Sequence, residues 1–131
     1  MASTLRTFKR PQSHYTQVGN EVFDEIMPQV SGAEFKVFAL VYRETVGFQR
    51  DRSHISIEEI CRGSKRPDGT RRGGTGLSDR GAKNAVQSLV EKGLLVILEQ
   101  GGGAAKNLYS IPFDDIVDPG TQFPGRGELS S

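Results

Sequence analysis

Four polar side chains recur along one predicted helix at a spacing that places them on a single face. Residues at i, i+3, i+4 and i+7 share one side of a helix, and here they are Arg80, Lys83, Asn84 and Gln87. In the major groove of DNA, arginine and lysine can donate hydrogen bonds to guanine, and asparagine and glutamine can pair with adenine. We therefore interpret this face as a candidate for reading bases. The alternative is an ordinary solvated face.

The segment that leads into this helix concentrates positive charge. Residues 62–83 contain seven basic and two acidic residues, a local charge of seven minus two, or +5, whereas the 131-residue chain has a net charge of +1. A basic patch in a nearly neutral domain is typical of a protein with an anionic partner. Within it, "KRPDGTRRGGT" at 65–75 has no periodicity, so we predict a mobile loop that becomes ordered along DNA. The side chains expected on phosphates are Lys65, Arg66, Arg71 and Arg72. The alternative is a surface insertion without function.

Two helices are predicted in the first third of the chain. Asn20 is a suitable N-cap for "EVFDEIM", which Pro28 ends. Ser31 and Glu34 have the spacing of a capping box at the start of a second helix. Its apolar residues repeat at three and four positions, which predicts a central helix, and Gly47 is placed to end it. The apolar stripe of the first helix consists of Val22, Phe23, Ile26 and Met27.

The second half of the chain predicts two more helices and a β-hairpin. A short strand at 54–56 leads into a helix that Ser56 caps and Gly63 ends. Ser78, which we include among the DNA-binding residues, caps a helix at 79–92. The strands "LLVILEQ" and "NLYSI" flank "GGGAAK", and this connection carries Lys106 and Asn107 as ligands for a phosphate or the minor groove. The predicted core consists of Phe35, Phe38, Tyr42, Ile60, Val86, Leu89, Leu94 and Val96.

The order of these elements predicts the fold class. The chain is mainly α with a small β-hairpin, and the order helix, helix, strand, helix, loop, helix, hairpin is that of a winged helix-turn-helix. We assign 1–14 to a mobile N-terminal arm, 15–113 to the winged domain and 114–131 to an acidic flexible tail. The segment 65–75 is then an inserted basic loop, because the turn of a helix-turn-helix usually has three or four residues.

The sequence resembles one known family. With 65–75 left out, "ISIEEICRGS" joins "GLSDRGAKNAVQSLVEKGLLVILEQGGG", and the stretch upstream reads "YTQVGNEVFDEIMPQVSGAEFKVFALVYRETVGFQRDRSHISI". Together they resemble the N-terminal domain of the phage lambda replication protein O family over roughly residues 15–111. The resemblance implies a winged helix that binds repeated origin sequences in double-stranded DNA, as several copies or as a homodimer, and helps to start DNA replication.

The resemblance also bears on protein partners. The best-known members carry a further C-terminal region that engages the replicative helicase or its loader, and here only about twenty residues follow the predicted wing. This difference favours a role in DNA binding without helicase recruitment.

The sequence offers no pattern for catalysis, so we expect a protein that is not an enzyme and binds no cofactor or metal. It has no Walker motif, His14 and His54 lack metal-ligand spacing, and Cys61 lies on the inner face of a short helix. No run of eighteen apolar residues and no apolar signal segment occurs, so we expect a cytoplasmic protein without membrane contact.

Three other functions remain open at this point. A transcriptional regulator on the same fold, of phage or bacterial origin, would bind a palindrome over a promoter instead of repeats at an origin. A protein-interaction module would show no salt-dependent affinity for DNA. Finally, "TRRGGTG" is similar to segments that bind single strands, although no aromatic residue adjoins it in the sequence.

Overall fold

Helices and two small antiparallel sheets form the part of the chain that the computed structural model describes, which is residue 7 and residues 10–101 and 106–114. Most of the predicted N-terminal arm, the tip of the predicted wing at 102–105 and the predicted tail after Asp114 lie outside these residues. Among the described residues, no helix is long and apolar enough to cross a membrane.

The central helix, α1, is Gly32–Thr45, and it begins at the predicted capping box. The Ser31 hydroxyl accepts a hydrogen bond from the backbone N–H of Glu34 at 3.1 Å, and the Glu34 carboxylate accepts one from the N–H of Ser31 at 2.9 Å. Val37, Phe38 and Val41 are fully or almost fully buried. The prediction of a capped helix at the centre of the core is therefore confirmed.

Two expectations near α1 are wrong. The preceding segment is a π-helical turn, Val22–Ile26, and a 3-10 turn, Met27–Gln29, with no side-chain cap from Asn20. A π turn is wider than an α turn, so the apolar stripe leaves its phase, and Phe23 is 46% exposed. After α1, Val46–Phe48 forms a 3-10 turn that ends at Gln49 in the left-handed region, so Gly47 is not the C-cap.

The helices that follow have the predicted ends. α2 is Ile57–Arg62, with a capping box of Ser56 and Glu59, and α3 is Asp79–Glu91, with the Ser78 hydroxyl accepting from the N–H of Gly81 at 3.0 Å. The inner face of α3 is buried as predicted and packs against α1 and α2. That face consists of Ala82, Ala85, Val86 and Leu89.

A three-stranded antiparallel sheet covers one end of the helices. Its strands are β1, Arg52–Ile55; β4, Val96–Glu99; and β5, Asn107–Ser110, in the order β1–β5–β4. β5 is central and largely buried, with Tyr109 and Ser110 fully inaccessible. The predicted hairpin strands and the short strand before α2 are both present. β1 lies about two residues earlier than predicted.

The predicted core is right for the helices and wrong by one residue at the first hairpin strand. Leu94 and Val96 are only partly buried, whereas Leu95 is 1% exposed. The N–H of Leu94 donates to the carbonyl of Leu89 at 3.0 Å, so Leu94 still belongs to the end of α3. Because side chains alternate in a strand, this delay reverses the buried face. Phe35 is also only partly buried.

The inserted segment contains two short strands that the sequence pattern did not predict, whereas its mobility without DNA stays a prediction. β2, Ser64–Lys65, pairs with β3, Arg71–Arg72, in an antiparallel hairpin. At its tip, the Asp68 carboxylate accepts hydrogen bonds from the N–H and the hydroxyl of Thr70. Below its base, a Cβ on Gly74 would collide with the carbonyl of Cys61. This glycine therefore permits a close approach of two backbone segments rather than flexibility.

Candidate nucleic-acid interface

The outer face of α3 is free of internal contacts at most of its candidate positions. Arg80, Lys83, Asn84 and Gln87 are all exposed. Gln87 donates to the carboxylate of Glu91, one turn on, at 3.4 Å. Within the described residues, the side chains of the other three have no hydrogen-bond or ion-pair partner. Since the opposite face is fixed in the core, α3 directs these three unpaired side chains toward solvent from a fixed helix backbone.

The residues next to the connection of the β4–β5 hairpin have partners within the protein. The Asn107 carboxamide accepts from the N–H of Gly101 at 2.8 Å and donates to the hydroxyl of Tyr109 at 3.1 Å. Burial raises the pKa of Tyr109, so this phenol stays neutral at physiological pH. Asn107 therefore holds the hairpin together in this conformation. Its amide, predicted as a ligand for a phosphate or the minor groove, already has partners within the protein.

Lys106 links the hairpin to α2. Its ammonium group lies 3.1 Å from a carboxylate oxygen of Glu59. Burial acts to raise the pKa of Glu59, but the N–H of Ser56 and the charge of Lys106 outweigh it and lower that pKa. Lys106 is half exposed, so it can still contact an anion, although one carboxylate already neutralises part of its charge.

In the inserted hairpin, two of the four predicted phosphate ligands turn inward. Arg72 is 4% exposed, and its Nε lies 2.9 Å from Glu44 Oε2 as an ion pair without a hydrogen bond. Arg66 and Arg43 approach the same carboxylate oxygen at 3.1 and 3.2 Å. Arg66 and Arg72, both predicted to contact DNA phosphates, are thus already paired with a buried carboxylate in this conformation. Lys65 and Arg71 are exposed.

Sequence reasoning overlooked Glu44, although a signal was present. Glu44 lies seven residues after Val37 and three after Val41, in phase with the buried face of α1, and it is 6% exposed. A carboxylate at a core position must be paired with a cation or neutralised. Its position predicts an internal basic partner, but it does not tell which of the many arginines provides it.

A second ion pair joins the ends of α1 and α3. The ammonium group of Lys92 lies 2.7 Å from a carboxylate oxygen of Glu34 and also donates to the carbonyl of Gln29. The Lys92 hydrogen bond, with further donors from Ser88 and Ser31, lowers the pKa of Glu34 from 4.5 to about 2. This contact connects the start of α1 to the end of α3.

Comparisons with known proteins add no further assignment. A scan against family models found no matching family, and neither curated proteins nor solved structures gave a significant match. The function has to be argued from the geometry of this chain and from the resemblance in its sequence.

Proposed function

We propose that this chain is a sequence-specific double-stranded DNA-binding protein of the winged-helix class, and that it acts without catalysis. The observation that carries the proposal is the division of α3 into two faces. One face is buried against α1 and α2, and the other presents the unpaired side chains of Arg80, Lys83 and Asn84. Such a helix can enter the major groove with donors for guanine and adenine already positioned.

The connection between α2 and α3 supports this proposal despite its length. The N–H of Thr75 donates to the carbonyl of Ile60 at 2.8 Å, and the N–H of Gly76 donates to the carbonyl of Cys61 at 3.0 Å. The chain therefore leaves the end of α2, forms the β2–β3 hairpin and returns to the same place. With the hairpin regarded as a side branch, the two helices are joined by a short turn, as a helix-turn-helix requires.

The sheet also fits the proposal. In the order β1–β5–β4, the last two strands form a hairpin that would serve as the wing, and the contact of Lys106 with Glu59 connects the start of β5 to α2. The resemblance in sequence adds the biological role: binding of origin repeats at the start of DNA replication, as several copies or a homodimer, without recruitment of the helicase or its loader. Under this proposal the protein works in the cytoplasm and binds no cofactor.

The test begins with selection of preferred duplexes from a random pool by the whole protein. Asn84→Ala and Lys83→Ala should each cost roughly 1–3 kcal/mol on the selected duplex and relax preference at particular base pairs. Lys36→Ala, which removes an exposed lysine of α1, is the matched control and should leave base preference unchanged. Equal weakening on selected and scrambled duplexes would show that α3 does not read bases.

The arrangement of selected sites in the source genome separates the replication role from the transcriptional one. Direct repeats at an origin support replication initiation, whereas a palindrome over a promoter supports a transcriptional regulator on the same fold. No detectable affinity for any duplex at low salt would overturn the proposed duplex binding and favour a protein-interaction module on the same fold.

A further inference from the structure

A second basic surface lies outside α3, between the inserted hairpin and the elements around the end of α1. It has two parts. The basic cleft, of about 430 Å³, lies between β1 and β2. The aromatic groove, of about 570 Å³, lies between the hairpin tip and residues 14–16. Arg66 lines both, so the two depressions lie next to each other.

The charge of this surface favours a polyanion. Its lining contains six basic and three acidic residues, a net charge of +3, which exceeds the +1 of the whole chain. Two of the acids are already neutralised, Glu44 by three arginines and Glu59 by Lys106. The third, Asp68, is occupied by hydrogen bonds from Thr70. The basic residues are Arg43, Arg50, Arg52, Lys65, Arg66 and Lys106.

Two of these cations line the cleft from different strands and have no partner. Arg52 lies on β1 and Lys65 on β2, and both are exposed. Within the described residues, neither has an ion pair or a side-chain hydrogen bond. Because two unpaired cations in one cleft can both contact a chain that lies in it, the cleft suits a ligand with charges along its length.

Exposed aromatic rings distinguish this surface from a simple basic patch. Phe48 and Tyr15 both line the aromatic groove and are 43% and 52% exposed. The guanidinium carbons of Arg66 and Arg50 lie 4.4 and 5.0 Å from the centroid of the Phe48 ring. A guanidinium that stacks on an aromatic ring can also stack on a nucleobase. The fold thus provides the aromatic neighbours that the basic insertion lacks in the sequence.

From these features we propose that the basic cleft and the aromatic groove together bind single-stranded nucleic acid. Arg52 and Lys65 contact successive phosphates, and unstacked bases lie against Tyr15 and the arginine-covered face of Phe48. A duplex would not use these rings, because its bases are already stacked on each other. The ligand and the residues differ from those of the proposed function, so either can hold without the other.

The test measures binding of a fluorescein-labelled oligothymidylate of about 12 nucleotides to the whole protein by fluorescence anisotropy. Arg52→Ala/Lys65→Ala should flatten the dependence of log K on log salt by about 1.4, since each single-strand phosphate contributes about 0.7. Phe48→Leu keeps an apolar side chain without a ring, and we expect it to weaken binding roughly 5- to 150-fold. Thermal melts verify that both variants remain folded.

The control is Arg80→Ala/Lys83→Ala, which removes the same charge from α3 and should change oligothymidylate binding less than about twofold because distant charges are screened. Equal weakening by the two double variants would overturn the proposal, as would full retention of binding in Phe48→Leu. The proposal would also be overturned if an oligoglutamate of equal charge competed as effectively as unlabelled oligothymidylate, because the surface would then recognise negative charge alone. Duplex binding in the same variants tests α3 separately.

Discussion

The two basic stretches of the chain, α3 and the β2–β3 hairpin, place their positive charge in opposite ways. α3 holds its position by burying four apolar side chains and leaves Arg80 and Lys83 in solvent. The hairpin is fixed through charge, because Arg66 and Arg72 turn inward to the buried carboxylate of Glu44. Only Lys65 and Arg71 of its four cations stay exposed. A cluster of arginines can thus be a binding surface or a structural support, and its partners decide which.

The difference also shows what each kind of anchoring depends on. Burial of an apolar helix face follows from a pattern within thirteen residues of α3. The hairpin is held by contacts between residues far apart, such as Arg66 and Glu44, which are 22 positions apart. Since charged groups are costly to bury alone, the hairpin and α1 depend on each other.

The largest expected effect comes from Glu44→Ala. It leaves the guanidinium of Arg72 buried without a counter-charge, and we expect a loss of about 3–5 kcal/mol in the free energy of unfolding, measured by urea denaturation. Burial already lowers the pKa of Arg72, which shows that the charge is poorly solvated there. The double variant Glu44→Ala/Arg72→Met should recover part of this loss. A loss below about 1 kcal/mol in the single variant would show that ionic contacts do not hold the hairpin.

For α3, the corresponding change is Leu89→Ala. Leu89 is fully buried, and its truncation removes transfer free energy and leaves a cavity, so we expect about 2–5 kcal/mol of destabilisation. Arg80→Ala, on the exposed face of the same helix, should remain within about 0.5 kcal/mol of the parent in the same melts. If the two variants were equally stable, the assignment of buried and exposed faces would be wrong.

A comparison of Leu89 with Arg72 shows how much of the fold the sequence predicts. Leu89 is one of the apolar residues that repeat at every third or fourth position of α3, as in any helix with one buried face. The caps Ser31, Ser56 and Ser78 each bond to a residue three positions later. The helices and their starts therefore follow from interactions between residues close in sequence. The fold of the insertion cannot be predicted in this way. A segment rich in glycine and arginine is typical of a mobile loop, and its sequence does not show that Glu44 is the partner of Arg72. The four candidate residues on α3 were found from spacing alone.

The failures at Leu94 and at Phe23 have a related cause. In both places the spacing of residues that share one face changes. At Leu94 a helix gives way to a strand, and at Phe23 the helix has a wider π turn. A sequence pattern fixes which residues share a face only while the period is constant. The aromatic groove is harder still, since it combines the hairpin tip with residues 14–16 and the turn after α1.

An intermediate effect is expected at the contact between Lys92 and Glu34, which gives α3 an ionic support of its own. The pKa of Glu34 is lowered to about 2, so this carboxylate stabilises the fold fully above about pH 5 and progressively less as the pH falls toward 2. Lys92→Met should cost about 1–2 kcal/mol at pH 7, limited by the 40% exposure of Lys92. The cost should shrink as denaturation is repeated at lower pH. A cost independent of pH would mean that the methylene groups of Lys92, and not its charge, support α3.

The smallest expected effect on stability is that of Arg71→Ala, which isolates the outward charge of the hairpin. Arg71 and Arg72 are neighbours in β3, but Arg71 is exposed, whereas Arg72 is buried, with 4% of its surface exposed. We therefore expect Arg71→Ala to change the free energy of unfolding by less than about 0.5 kcal/mol. If the hairpin flanks duplex DNA bound to α3, the variant should flatten the dependence of log K on log salt by about 0.9 without altering base preference. The measurement is a salt titration on selected and scrambled duplexes, with Lys36→Ala as the control. An unchanged slope on both duplexes would show that Arg71 makes no duplex contact. The hairpin would then have only its structural role and its part in the proposed single-strand surface.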